Sequence, residues 1–152
     1  MKTSIIIIIL ALIVISIFIF SKQSDDTKTI VGSINDIESN IDKVMKSNKK
    51  GAFLIATIQG INDFIQFTGN TTGVQLDFPL VTDRQKSMEM VYRSVAKELN
   101  LVIVENKGTS GHNFLDIDIK GTATQIAIIS RILMEKLFMV NQSTKIEYEL
   151  KS

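Results

Sequence analysis

A long apolar run near the N-terminus limits what this chain can fold into. Every residue from Ile5 to Phe20 except Ser16 is apolar. With the flanking Ser and Thr residues the stretch reaches ~19 residues, or ~28 Å as a helix, about the thickness of a bilayer core. A helix this uniformly apolar does not suit a small soluble fold. We therefore expect residues 1–21 to form a single N-terminal transmembrane helix.

The alternative for this segment is a cleaved signal peptide. Signal peptides have a shorter apolar core followed by a small-x-small cleavage site, whereas here Ile19 and Phe20 precede Ser21. The sequence favours a retained anchor or an uncleaved signal. The expected location is the inner (cytoplasmic) membrane, crossed once, with the N-terminus inside and the body in the periplasm or otherwise outside the cytoplasm.

Charge and cysteine content exclude several classes of function. The chain has 17 Lys and Arg and 16 Asp and Glu, and Lys2 is the only charge before residue 22, so the remainder carries 16 of each sign. A neutral body lacks the basic patch that nucleic-acid binding needs, and we expect no nucleic-acid partner. The absence of cysteine removes thiol nucleophiles, zinc–thiolate sites, disulfides and lipoprotein anchoring. No cofactor is expected.

The remaining chain divides into a linker and one domain. Residues 22–32 are polar and without clear period, so they are predicted to be a linker, and residues 33–152 a single α+β domain. Helices are predicted where capping pairs precede apolar stripes, at Ser33 with Asp36, Thr82 with Gln85, and Thr122 with Gln125. Strands are predicted at 52–58, 63–69, 74–80, 101–105, 113–119 and 145–150.

The predicted order is α-β-β-β-α-β-β-α-β, and elements in this order pack most simply as two layers. A largely antiparallel sheet then carries the helices on one face. The strand LVIVE at 101–105 is apolar on both faces and is predicted to be central, and KIEYEL at 145–150 is predicted to be an edge strand. The other face of the sheet stays open to solvent or to a partner.

The alternation in FLDIDI, residues 114–119, points to the residues of that open face. Its aliphatic residues are expected to face the helices, which places Asp116 and Asp118 on the open face with Phe114, and Asp77 near them on another strand. The predicted partner-binding patch consists of Gln66, Gln75, Asp77, Phe114, Asp116 and Asp118. A merely solvated sheet face is the alternative. His112, the only histidine, is expected to be exposed rather than a ligand or base.

The element order from Ile34 to Phe138 and the phrases FIQFTGN, VQLDFPLVTDRQ and FLDIDIKG resemble the type III secretion chaperone-like fold, including bacterial sensory-regulator proteins of that fold. The N-terminal apolar segment and the strand KIEYEL depart from its pattern, which argues against a cytoplasmic chaperone role. The resemblance implies a small α+β module that binds another protein, often as a homodimer, and has no catalytic residues.

The sequence thus predicts a membrane-anchored, non-enzymatic protein-binding module of the bacterial envelope. An immunity protein against a secreted toxin and a secretion-system accessory or chaperone-like protein are two forms of this function. The alternative is a metal-dependent hydrolase that uses Asp77, Asp116 and Asp118, because carboxylates on one strand face suit a divalent ion or an acid–base pair. The spacing is typical of any half-exposed strand, and we predict no catalytic or metal site.

Overall fold

The structure is a computed structural model that describes residues 27–47, 51–70, 72–108 and 111–151. A short 3₁₀ turn at Ile34–Asp36 precedes the first helix. The elements in chain order are β1 (Thr27–Gly32), α1 (Ile37–Lys46), β2 (Phe53–Ile58), β3 (Phe64–Asn70), β4 (Gly73–Pro79), α2 (Asp83–Ser87), α3 (Glu89–Glu98), β5 (Ile103–Lys107), β6 (Asn113–Lys120), α4 (Ala123–Phe138) and β7 (Ile146–Lys151).

The seven strands form one sheet in the order β1-β7-β2-β3-β4-β6-β5. Every neighbouring pair is antiparallel, and β1 and β5 lie at the two edges. Helix α1 packs against α4 and β3, and α4 also packs against α3 and β4. The helices therefore cover one face of the sheet, and we call the opposite face the open face.

Strand alternation decides which side chains enter the core between sheet and helices. The prediction that the aliphatic residues of β6 face the helices is confirmed, because Leu115, Ile117 and Ile119 are at most 3% exposed. From the helix layer Tyr92 stacks on Phe78 of β4, with ring centroids 4.6 Å apart. Alternating burial of this kind leaves the intervening residues of each strand on the open face.

All three predicted capping boxes form. In each, the cap side chain accepts a hydrogen bond from a backbone N–H of the first turn, and the third helical residue bonds back to the cap backbone. The pairs are Ser33 with Asp36, Thr82 with Gln85, and Thr122 with Gln125. These local interactions fix where the 3₁₀ turn leading into α1 and the helices α2 and α4 begin.

The predicted fold class is wrong as a whole, although the α+β layers and the antiparallel sheet are found. It includes a transmembrane helix, but none of the helices in the described ranges is long and apolar enough to span a membrane. Residues 1–21, on which that prediction falls, lie outside the described residues. The observed order is β-α-β-β-β-α-α-β-β-α-β instead of α-β-β-β-α-β-β-α-β.

Two local features account for the different order. Thr27–Gly32, assigned to the linker, forms β1 and pairs with β7. Its apolar residues Ile30 and Val31 are adjacent, so the segment shows no alternation and only the pairing reveals it. The predicted second helix is divided in two at Met88, whose backbone N–H is shared between the carbonyl oxygens of Arg84 and Gln85 at 3.2 and 3.1 Å, as is common where a helix ends.

The positions of two strands in the sheet are also corrected. The segment LVIVE was predicted to be central, but it contributes to the edge strand β5, and Val102 and Val104 are 78% and 58% exposed. The predicted edge strand KIEYEL forms β7, which lies between β1 and β2. Apolar residues on both faces of a strand indicate burial only when a neighbour or a partner covers them.

Candidate functional site

The predicted partner-binding residues lie on the open face of three neighbouring strands, β3, β4 and β6. Strand register sets Gln66 opposite Asp77, and Asp77 opposite Asp116, so these side chains form one row across the sheet. Gln75 lies opposite Asp118 in the next row. Asp77 was expected only to be near the aspartates of β6, and the structure makes it the direct cross-strand neighbour of Asp116.

Amide side chains hold the two opposed carboxyl groups in place. Gln75 Nε2 donates to Asp77 Oδ1 at 2.8 Å and to Asp116 Oδ2 at 3.2 Å. Gln66 Nε2 donates to Asp77 Oδ2 at 3.4 Å, and Asn106 Nδ2 donates to Asp116 Oδ2 at 3.1 Å. These neutral donors orient both carboxyl groups without bringing a positive charge to them.

The Asp77–Asp116 pair is buried although it lies on the open face, with Asp77 8% and Asp116 7% exposed. Burial raises the pKa of Asp77 to about 6; the hydrogen bond from Gln75 lowers this pKa, and the neighbouring Asp116 and Asp118 raise it. The negative charge of Asp116 directly across the strand disfavours ionisation of Asp77. The pair therefore retains a proton at pH values where a solvated aspartate is fully ionised.

No basic side chain compensates this pair within the described part of the chain. The other buried aspartate, Asp63, is ion-paired with Arg84. None of the ion pairs between described residues involves Asp77, Asp116 or Asp118. Because a buried carboxylate ordinarily has a cationic or metal partner, the Asp77–Asp116 pair is the feature of this surface that most needs a ligand.

A pocket of about 290 Å³ lies beside the pair, next to the edge strand β5. Its lining combines carboxyl groups, amides and one exposed aliphatic side chain. The lining residues are Gln75, Val104, Glu105, Asn106, Asp116 and Asp118. A pocket of this composition suits a ligand that has a cationic end and an apolar stem.

Phe114 and His112 lie apart from the carboxyl pair. Phe114 is on the same face opposite Pro79, and its ring packs so closely on Gly108 that a side chain there would collide with it. His112 is exposed in the turn before β6, as predicted, and its carbonyl oxygen accepts a hydrogen bond from the Gly108 amide at 2.9 Å. Phe114 thus shapes the end of the open face, and His112 contributes only its backbone there.

Sequence reasoning missed Val104 and Asn106 of β5. Val104 lies opposite Asp116, and Asn106 donates to the same carboxyl group. The burial pattern of β5 carries no alternation that could have revealed them, because only Ile103 is partly buried and the four residues from Val104 to Lys107 are exposed. The sequence prediction also took the strand to be central and to end at Glu105.

Neither a metal centre nor a known relative identifies the site. Within the described ranges, no three or more His, Asp and Glu side chains lie together in an arrangement that could hold a metal ion. No family model, curated protein or solved structure matches the chain. The resemblance to the type III secretion chaperone-like fold therefore stays a prediction.

Proposed function

We propose that this chain is a non-enzymatic protein-binding module that holds its partner on the open face of the sheet. The observation that carries the proposal is the Asp77–Asp116 pair, which is buried and aligned by amides but has no basic neighbour among the described residues. Burying carboxyl groups without a counter-charge costs stability, and neutral residues of similar size would serve a purely structural role better. A partner that supplies positive charge offsets that cost.

The edge strand β5 extends the proposed surface. Val104 of β5 exposes its apolar side chain at the acidic pocket, and Val102, just before the strand, is exposed as well. An edge strand also presents unpaired backbone groups, and natural proteins usually protect such edges. Exposed aliphatic side chains with adjacent polar groups are typical of the centre and rim of a protein interface.

The two forms predicted from the sequence, neutralisation of a secreted toxin and service to a secretion machine, both use a surface of this kind. The identity of the partner distinguishes them. The predicted envelope location stays a prediction, because residues 1–26 lie outside the described residues. The homodimer is the case in which the partner is a second copy of the chain.

We do not propose the alternative, a metal-dependent hydrolase. Asp77 and Asp116 are opposed, but Asp118 lies in the next row and is exposed, opposite Gln75. Gln75 Nε2 bonds to both carboxyl groups of the pair, so an amide occupies a position that a metal ion shared by them would need. No observation favours the enzyme over the binding module.

Site-specific photo-crosslinking in native cells tests the proposal. The photoreactive residue benzoylphenylalanine replaces Val104 on the open face or, as the matched control, Ile128 on α4 in the helix layer. These positions are 58% and 51% exposed, so both tolerate a large side chain and differ mainly in the face they sample. The full chain carries a C-terminal tag, and adducts are identified by mass spectrometry.

The expected result is one dominant protein adduct from position 104, absent from position 128. Adding Asp116→Asn to the crosslinker at 104 should remove it, because the variant takes away the charge that the partner would neutralise. An adduct of the chain with itself would identify a second copy as the partner. Equal adducts from both faces, no adduct from position 104, or an adduct insensitive to Asp116→Asn would contradict the proposal.

A further inference from the structure

One oxygen of Asp116 has no hydrogen-bond partner. Oδ2 accepts from Gln75 and Asn106, but Oδ1 is buried and unpartnered, in a residue only 7% exposed that lines the pocket beside β5. A buried polar atom without a partner carries the full cost of its lost hydration. Unlike the exposed Asp118 next to it, Asp116 is therefore an acceptor that requires a donor.

A donor can reach this carboxyl group in two ways. In the free protein, Asp77 lies directly across the strand and can donate a shared proton. In a complex, a cation can enter through the adjoining pocket. The two compete, because one shared proton halves the negative charge of the pair and so weakens its attraction for the cation.

We propose that this pocket receives the guanidinium group of an arginine side chain from the partner, which donates a hydrogen bond to the buried, unpartnered Oδ1 of Asp116. This inference rests on the proposed function, since it names the chemistry by which the partner is held. The proton that leaves the pair passes to solvent when the arginine enters.

Several features favour arginine over other cations. Guanidinium is planar and only weakly hydrated, so it is desolvated more easily than an ammonium group, and its N–H donors can reach the unpartnered Oδ1 of Asp116 from the pocket. The exposed side of Val104 offers an apolar wall for the arginine stem. The pocket volume of about 290 Å³ also accommodates a guanidinium group together with its stem.

The neighbours of the pair determine its pH dependence. Across the strands, Asp77 faces Gln66 of β3 and Asp116 of β6, with Asp118 one row away. Strand β5 places Asn106 and Glu105 beside the pair, and Glu105 is ion-paired with Arg93. From the helix layer, Tyr92 donates to the Leu115 carbonyl oxygen at 3.3 Å.

Acidic neighbours dominate this environment, so protonation and arginine binding compete. Burial raises the pKa of Asp77 to about 6. At about pH 5 Asp77 is mostly protonated, and the affinity for a cation that needs Asp77 ionised should be about tenfold lower than at about pH 7.5, since one pH unit below the pKa corresponds to a tenfold change in the ionised fraction.

The test is an NMR titration of the full chain in neutral detergent, which keeps the apolar residues 5–20 in solution. The probes are the peptide acetyl-Gly-Arg-Gly-amide and its analogues with citrulline, a neutral isostere, or lysine in place of arginine. Resonances of the Gln75 and Asn106 side-chain amides and of the Asp77 and Asp116 carboxyl carbons report binding at the pocket. The titrations are run near pH 5 and pH 7.5.

The expected result is a saturable shift of these resonances with the arginine peptide, about tenfold weaker at the lower pH, and none with the citrulline peptide. Asp116→Asn and Asp77→Asn should each abolish the response. The second variant keeps the test valid if the first does not fold. Glu98→Gln, in the helix layer where Glu98 pairs with Lys136, should leave it unchanged.

Four outcomes would overturn the inference: no shift with the arginine peptide, an equal shift with citrulline, equal binding of the lysine peptide, or equal affinity at both pH values. Its failure is distinguishable from that of the proposed function. A crosslinked partner at position 104 without arginine binding refutes only the guanidinium site. Arginine binding without any crosslinked partner refutes the protein-binding function instead.

Discussion

Asp77→Asn tests whether the carboxyl pair holds a proton in the free protein. The pKa of Asp77 is raised from its ordinary value of 3.8 to about 6. Between these values the folded state binds more protons than the unfolded state, so the contribution of Asp77 to stability is present at low pH and is lost as pH rises through 6. The whole difference corresponds to about 3 kcal/mol, of which about 2 kcal/mol falls between about pH 4.5 and 7.5.

Asparagine has the same shape, accepts the hydrogen bond from Gln75 and does not titrate. The variant should therefore lose about 2 kcal/mol less stability than the wild type over that pH interval, and it should be the more stable protein near pH 7.5. The assay is urea unfolding of the full chain in neutral detergent, followed by circular dichroism at both pH values.

Glu135→Gln is the matched control, because Glu135 is an exposed carboxylate on α4, on the helix side of the sheet. The control should follow the pH dependence of the wild type. If Asp77→Asn also follows it, or loses more stability than the wild type on going to higher pH, then Asp77 is an ordinary ionised carboxylate and the reasoning about a shared proton is refuted.

Three further changes test how the sheet and helices are held together, each by the free energy of urea unfolding. Gly73→Ala places a methyl group against the backbone of Ile119 and should cost about 2 kcal/mol or more, so an unchanged midpoint would contradict the close approach of β4 and β6. Thr122→Ala removes the cap of α4 and should cost about 1 kcal/mol, and no loss would mean that the cap is dispensable. Tyr92→Phe removes the hydroxyl that donates to the Leu115 carbonyl and should also cost about 1 kcal/mol, whereas a neutral effect would place that hydroxyl in contact with water.

Features that depend on neighbouring residues in the chain were predictable from the sequence. The capping pair Thr122 with Gln125 is a contact between residues three positions apart, and it forms as expected. The alternation of β6 needs only that one face be buried, and Leu115 and Ile117 are buried as predicted. Such patterns depend only on residues close together in the chain, so they can be predicted without knowing the rest of the fold.

Strand order was not predictable in the same way, because it depends on contacts distant in sequence. The interior position of β7 follows from its pairing with both β1 and β2, and β1 shows no alternation that would reveal it. The composition of LVIVE suggested a central strand. Instead, Val102 and Val104 are exposed at the sheet edge. An apolar strand can therefore also lie at an edge, where we propose that a partner covers it.

The candidate site was predictable as a face but not as a set of contacts. Alternation placed Asp77 and Asp116 on the same side of the sheet, whereas their direct opposition depends on the register between β4 and β6. The bridging hydrogen bonds of Gln75 and the donation from Asn106 depend on side-chain placement that no pattern contains. The missing counter-charge becomes visible only once all neighbours of the pair are known.

The most direct test of the central claim is the affinity of the crosslinked partner for the wild type and for Asp116→Asn, measured by isothermal titration calorimetry near pH 7.5. Glu98→Gln serves as the charge-matched control on the helix side. If the uncompensated carboxyl pair holds the partner, Asp116→Asn weakens binding at least about tenfold, or about 1.4 kcal/mol, and the control does not. Equal affinities for all three proteins would contradict the claim that the open face binds through this pair.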